Sequence, residues 1–208
     1  MAAAIYFSAA RPYPARAGII FYPGGWVDFH AYEALMYELA DRGFLCILVR
    51  EPENLAFLDT SRANKVRYMY PDIPDWYLAG HSLGGAAAGM YLGDKLHKIQ
   101  NDNKSRALSE SRLGYKGLIL LASYVTKDLS RSGLKILSIY GTNDKVLNRR
   151  KYEQNKKNWP ADAKEIKIKG GIHSYFGAYG IQKHDGHSEI TNEEQLIRTA
   201  DAIYDFAK

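Results

Sequence analysis

The sequence predicts a single α/β domain built on a mostly parallel sheet with helices on both faces. Three observations predict it. Short runs such as Gly18–Tyr22 and Phe44–Val49 are apolar throughout and of strand length, which leaves no polar face for solvent. Longer amphipathic stretches alternate with them, the order expected where crossover helices cover both faces of a sheet. The chain has 208 residues, 46% hydrophobic and 25% charged, enough for one domain to bury a core without staples. No internal repeat and no Pro/Gly/Ser linker divides it, so one domain is expected over 1–208.

Gly18-Ile-Ile-Phe-Tyr-Pro reads as a buried strand ended by Pro23, which cannot donate to the next ladder bond. His30 to Arg42 reads as a helix, with Tyr32, Leu35, Met36 and Leu39 at helical spacing and Gly43 as its stop. Phe44-Leu-Cys-Ile-Leu-Val is a second strand. Thr60 or Ser61 caps a short helix that runs towards Tyr70 and ends at Pro71. Asp75 to Gly80 is a third strand, followed from Leu83 to about Ile99 by a long helix that opens with small residues. Gly117–Ala122 and Leu134–Tyr140 are two more strands. Lys164-Glu-Ile-Lys-Ile-Lys alternates as an edge strand does, and Asn192 to Phe206 closes the chain as a helix.

Composition excludes several classes. The single cysteine, Cys46, rules out a disulfide scaffold and is compatible with a reducing compartment. No apolar run approaches the roughly 20 residues that span a bilayer. The N-terminus is too poor in basic residues for a signal peptide. A strand-like start near residue 5 is also what removal of an upstream export or anchor segment would leave. The net charge of +5 is uneven: residues 1–104 carry 10 Lys/Arg against 11 Asp/Glu, and residues 105–208 carry 18 against 12. The basic run at Lys145–Lys157 lacks a glycine-aromatic signature, so a solvated helix face is expected there and no nucleic-acid partner.

In parallel α/β sheets function gathers at the carboxyl ends of the strands. Gly80-His81-Ser82-Leu83-Gly84 lies directly after one strand and before a helix. Glycines two positions either side of the serine permit a sharp turn that pushes its hydroxyl clear of the backbone. Ser82 is therefore the candidate nucleophile, and it needs a base oriented by an acid. Of six histidines, His81 lies in the turn, and His30 and His97 belong to helices. His173, directly after the last strand in Gly170-Gly171-Ile172-His173, is favoured over His184 and His187 in the polar loop beyond. Asp144, just past the strand ending at Tyr140, is the favoured acid, with Asp128 as its competitor. The order Ser82, Asp144, His173 is the one expected for this turn type. Pro23-Gly24-Gly25-Trp26 supplies close-approaching N–H groups, so the expected oxyanion donors are the Leu83 N–H and that of Gly25 or Trp26, with Gly25 favoured.

These segments resemble the α/β-hydrolase superfamily, and more narrowly its compact dienelactone-hydrolase-like branch. The shared stretches are Phe21-Tyr-Pro-Gly-Gly-Trp-Val-Asp, Asn54-Leu-Ala, Gly80-His-Ser-Leu-Gly-Gly, Tyr140-Gly-Thr-Asn-Asp and His173-Ser-Tyr-Phe-Gly-Ala-Tyr-Gly. The resemblance runs from about Ile5 to the end and implies a Ser-His-Asp triad at Ser82, His173 and Asp144. The nucleophile is serine, not the cysteine of true dienelactone hydrolases, so that substrate is not carried over. The polar stretch from Lys95 to Gly114 departs from the pattern as an excursion of unassigned use. Members that enclose long lipids commonly place a helical cap after the strand ending near Tyr124. Here only about ten residues, Val125 to Gly133, precede the next strand, too few for a two-helix cap.

The expected function is cleavage of an ester or related acyl bond of a small substrate through an acyl-enzyme. The rival is a hydrolase-fold protein that binds a small ligand or protein without turnover; an intact nucleophile, base and acid argue against it. Trp26, Asn54 and Tyr175 are expected to wall the pocket, with Tyr124 and Tyr179 also in loops after strands. His184, Asp185 and His187 match no standard metal spacing, and no phosphate-cradling motif is present, so neither metal nor organic cofactor is expected.

Overall fold

The computed structural model describes residues 4–8, 15–50, 67, 69–101 and 113–208. Its strands are β1 (Ala4–Ser8), β2 (Gly18–Tyr22), β3 (Leu45–Val49), β4 (Trp76–His81), β5 (Gly117–Leu121), β6 (Lys135–Gly141) and β7 (Lys164–Ile168). Its α-helices are α1 (Glu33–Asp41), α2 (Leu83–Asn101), α3 (Arg149–Asn155) and α4 (Asn192–Phe206). The strands form one sheet in the order β1-β3-β2-β4-β5-β6-β7. Only β1 runs antiparallel, against β3; the other six strands are parallel.

The unbroken apolar runs follow from burial on both faces. Every residue of β2, β3, β4 and β5 is buried. Side chains alternate across the pleat. Ile20, Tyr22, Leu78, Leu118 and Leu120 join a core that includes Leu92 and Leu96 of α2 and Tyr152 of α3. Ile19, Phe21, Ala79, Ile119 and Leu121 join a second core with Leu35 and Leu39 of α1 and Leu196 and Ile203 of α4. The sheet is thus covered on both sides. β7, at the edge, keeps Lys164 and Lys167 exposed.

Several elements refine the sequence reading. The stretch expected as one helix from His30 opens as a 3₁₀ turn at Phe29–Tyr32, because Asp28 accepts the His30 N–H and caps it there. α1 then runs to Asp41, and Gly43 just beyond its C-cap, at φ 90°, stops it. Most of the short helix expected before Tyr70, together with Asn54 and the centre of the 95–114 excursion, lies outside the described residues. The basic run forms α3, capped by Asn148; Tyr152 is buried while Arg149, Arg150 and Lys151 are exposed. The Arg149 guanidinium lies 3.7 Å from the centre of the Tyr140 ring. Among the described residues no helix is long and apolar enough to cross a membrane.

Two features position the site. The chain places β3 on one side of β2 and β4 on the other, so strand order reverses at the carboxyl ends of β2 and β4, the place where such sheets bind ligands. Between β5 and β6, residues 122–134 contain no helix. They lie against glycines of α2: a Cβ at Gly89 would fall 2.0 Å from Val125 Cγ1, and one at Gly93 2.4 Å from Lys127 Cβ. The connection packs down onto α2 instead of rising into a cap.

Candidate active site

Ser82 sits between the last residue of β4 and the first of α2, with φ at 52°. A left-handed conformation at a non-glycine residue costs of order 1–3 kcal/mol and persists only where its surroundings impose it. Here they do. The Ser82 N–H donates to Leu121 O at 2.9 Å, and the Ser82 carbonyl accepts from Ala86 N–H at 3.2 Å and from the Ser123 hydroxyl at 2.7 Å. The flanking glycines are required by close approach. A Cβ at Gly84 would lie 2.2 Å from the carbonyl oxygens of Tyr22 and Pro23, and one at Gly80 2.5 Å from Gly84 C and Gly85 N.

Asp144 follows the end of β6 and is buried. Its Oδ1 accepts the N–H groups of Val146 and Leu147, both at 2.8 Å, which turns Oδ2 towards His173. His173 Nδ1 lies 2.9 Å from that Oδ2, and neither side chain exceeds 2% exposure. Asp144 and His173 are 29 residues apart in sequence and meet because β6 and β7 are paired neighbours. Asp128, the competing acid, is exposed and accepts the Ser130 N–H at 2.9 Å in a local turn.

Ser82, Leu83 and His173 line one cavity of about 170 Å³. Its remaining walls are Ala86, Ala122, Ser123, Tyr124, Val146, Leu147 and Asn148. Trp26 and Tyr175, expected at this wall, are not part of it: Trp26, at φ 58°, turns outward and is 75% exposed. Tyr175 is half-buried elsewhere in the His173 loop, as is Tyr179. Gly25 lies beside the turn, since a Cβ there would fall 2.4 Å from Leu83 Cδ1. Leu83 opens α2, where first-turn N–H groups have no intrahelical acceptor.

Asp185 has a part that the sequence does not signal. Its Oδ2 accepts the Ser174 N–H at 2.8 Å and the Ser174 hydroxyl at 2.7 Å. Its Oδ1 accepts from Gly186 N–H at 2.7 Å, His173 N–H at 3.3 Å and Lys145 N–H at 3.4 Å. One carboxylate therefore ties the loop carrying His173 to the residue after Asp144. Burial pushes its pKa up, but the donors from Ser174, Gly186 and His173 outweigh that and hold it below the ordinary value. His184 and His187 are exposed; among the described residues no group of three His, Cys, Asp or Glu side chains could hold a metal ion. Cys46 is fully buried in β3, and burial raises its thiol pKa far from reactivity.

His81, within the turn, is buried beneath His173, with the two ring centres 4.6 Å apart. Burial, and then the neighbouring His173, push its pKa well below the ordinary imidazole value, so it is neutral.

No curated protein sequence matches the chain. Solved structures do. A monoacylglycerol lipase from Paleococcus ferrophilus superposes with a TM-score of 0.66 at 13% identity, covering 99% of each chain. A CIB-like hydrolase from Thermoplasma acidophilum gives 0.60 at 12% identity, again over 99% of each. A thermophilic esterase from Thermogutta terrifontis gives 0.60 at 16% identity, over 96% of this chain and 85% of that one. Such identities establish a shared fold. The sequence profile of the alpha/beta hydrolase family matches residues 18–197, from the first residue of β2 into α4. With strand order, turn and profile in agreement over most of its length, the chain belongs to the alpha/beta hydrolase family.

Proposed function

We propose that the protein is a serine hydrolase of carboxylesterase type that cleaves a small ester or related acyl compound through an acyl-enzyme. One observation carries the reading: His173, paired with the buried Asp144, borders the same small cavity as a serine held at positive φ. His173 Nδ1 is engaged by Asp144, so Nε2 is the nitrogen left to take a proton. Ser82 Oγ attacks the acyl carbon as its proton passes to Nε2, and the carbonyl π pair moves onto oxygen. The Leu83 N–H, at the positive end of α2, and the Gly25 N–H are the proposed donors to that oxyanion. Collapse expels the alcohol, which takes the proton from His173. Water then repeats the cycle on the acyl-enzyme and releases the acid.

The small cavity and the cap-free connection after β5 support a small acyl group. Two fold neighbours, a monoacylglycerol lipase and an esterase, agree with ester chemistry. The test is labelling by a fluorophosphonate together with hydrolysis of p-nitrophenyl acetate. Ser82→Ala should abolish labelling, and Ser82→Ala and His173→Ala should each cut turnover by roughly 10³-fold or more. The double variant should lose little beyond either single one. Wild-type turnover in Ser82→Ala would overturn the reading.

A further inference from the structure

Behind the nucleophile a buried hydrogen-bond chain joins two parts of the site that are distant in sequence. The Gly24 N–H donates to the Tyr32 hydroxyl oxygen at 3.0 Å, and that hydroxyl lies 2.8 Å from His81 Nδ1. A hydroxyl carries one proton. With its oxygen already accepting from Gly24, giving that proton to Nδ1 satisfies both groups. The reverse assignment would leave a buried O–H without an acceptor. His81 is therefore the Nε2–H tautomer, with the His173 backbone as the remaining partner of its ring. The packing is tight: a Cβ at Gly24 would fall 2.7 Å from the Tyr32 hydroxyl and 2.9 Å from His81 Nδ1, so only glycine fits between them. Tyr32 is itself fully buried, its ring 5.1 Å from Phe21 at the end of β2.

We infer that Tyr32 is a positioning residue, whose hydroxyl fixes the Gly24–Gly25 loop against the His81–Ser82 turn so that the Gly25 N–H is preset for the oxyanion. This rests on the serine-hydrolase reading above. It assigns work to the one polar atom of a side chain that otherwise belongs to the core. Removing the hydroxyl leaves the ring in place, frees the Gly24 N–H, and lets the loop move. An oxyanion donor interacts with charge that exists only in the transition state, so its loss appears in kcat and leaves KM nearly unchanged.

Tyr32→Phe separates the possibilities, with Tyr152→Phe as the control. Tyr152 is another buried tyrosine, whose hydroxyl meets Ser138 of β6 and Glu165 of β7. For Tyr32→Phe, kcat on p-nitrophenyl acetate should fall roughly 10- to 100-fold with KM within about 3-fold. Affinity for a trifluoromethyl ketone, which forms a tetrahedral oxyanion on the serine, should fall by the same factor as kcat/KM. Tyr152→Phe should lower the melting temperature without changing kcat. Amide hydrogen exchange supplies a readout independent of turnover: Gly24 should be protected in the wild type and exchange at least about 10-fold faster in Tyr32→Phe. Unchanged Gly24 exchange, or a kcat loss matched by Tyr152→Phe, overturns the inference. Full turnover in Ser82→Ala fails the hydrolase reading instead, while the exchange measurement still decides whether the hydroxyl holds the loop.

Discussion

Replacing Asp144 by Asn tests the proposed acid with almost no change of shape, and the structure sets the size of the effect. In the wild type one carboxylate oxygen accepts two backbone N–H groups and the other accepts from His173 Nδ1. An asparagine can keep its carbonyl oxygen on Val146 and Leu147, in which case its NH₂ faces Nδ1 and donates to it. The imidazole then carries its proton on Nε2 and cannot accept one from Ser82. Flipping the amide restores the right tautomer, but it points NH₂ at the N–H donors of Leu147, which is buried, and Val146, which is half-buried. Each donor left without an acceptor costs about 1–3 kcal/mol, so the flip costs roughly 2–6 kcal/mol. At about 1.4 kcal/mol per tenfold, the productive tautomer falls to between about 1/30 and 10⁻⁴ of the molecules. Turnover of p-nitrophenyl acetate should drop by about 30- to 10⁴-fold, with a far-UV spectrum like the wild type. Asp128→Asn, altering an exposed turn, should stay within about 2-fold. Asp144→Asn within 10-fold of the wild type, or Asp128→Asn the more damaging of the two, would refute the assignment.

Gly84→Ala places a methyl against the fixed carbonyls of Tyr22 and Pro23, so it should destabilise by about 2–4 kcal/mol, read from the urea midpoint. Acetate to butyrate esters should be cleaved better than decanoate, because the cavity of about 170 Å³ has walls for only a few methylenes at about 0.8 kcal/mol each; a rate that climbs steadily to long chains would contradict this. The Asp185 carboxyl has a folded pKa below its unfolded one, so its contribution is present above about pH 4 and lost as pH falls through the folded value. Asp185→Asn should therefore flatten the acid limb of the melting temperature below about pH 4, and a limb identical to the wild type would show that Asp185 has no part in it.

Much of this protein was legible in the sequence because the signals are local. β2 to β5 read as unbroken apolar runs since both faces are covered, and a strand buried twice can carry no polar alternation. The turn at Ser82 was legible because its glycines form a short pattern, Gly80 being required by the adjoining Gly84–Gly85 backbone, although Gly84 answers to the carbonyls of Tyr22 and Pro23 across the sheet end. Tertiary structure alone decided which side chains meet. Asp144 and His173 each follow a strand, but their contact exists because β6 and β7 pair as neighbours. Asp185, which stands between His184 and His187 in sequence, is surrounded by N–H donors only once the 174–186 loop closes on itself. Trp26 follows the glycine pair in sequence, yet its backbone at φ 58° turns it outward, while Val146, Leu147 and Asn148 supply wall instead. Tyr32, read as one apolar position on a helix face, has a ring where periodicity puts it and a hydroxyl whose partners lie 8 and 49 residues away. Periodicity fixes which face a residue takes. Where its polar atom ends depends on the strands and loops packed against that face, and those come from pairing across the whole chain.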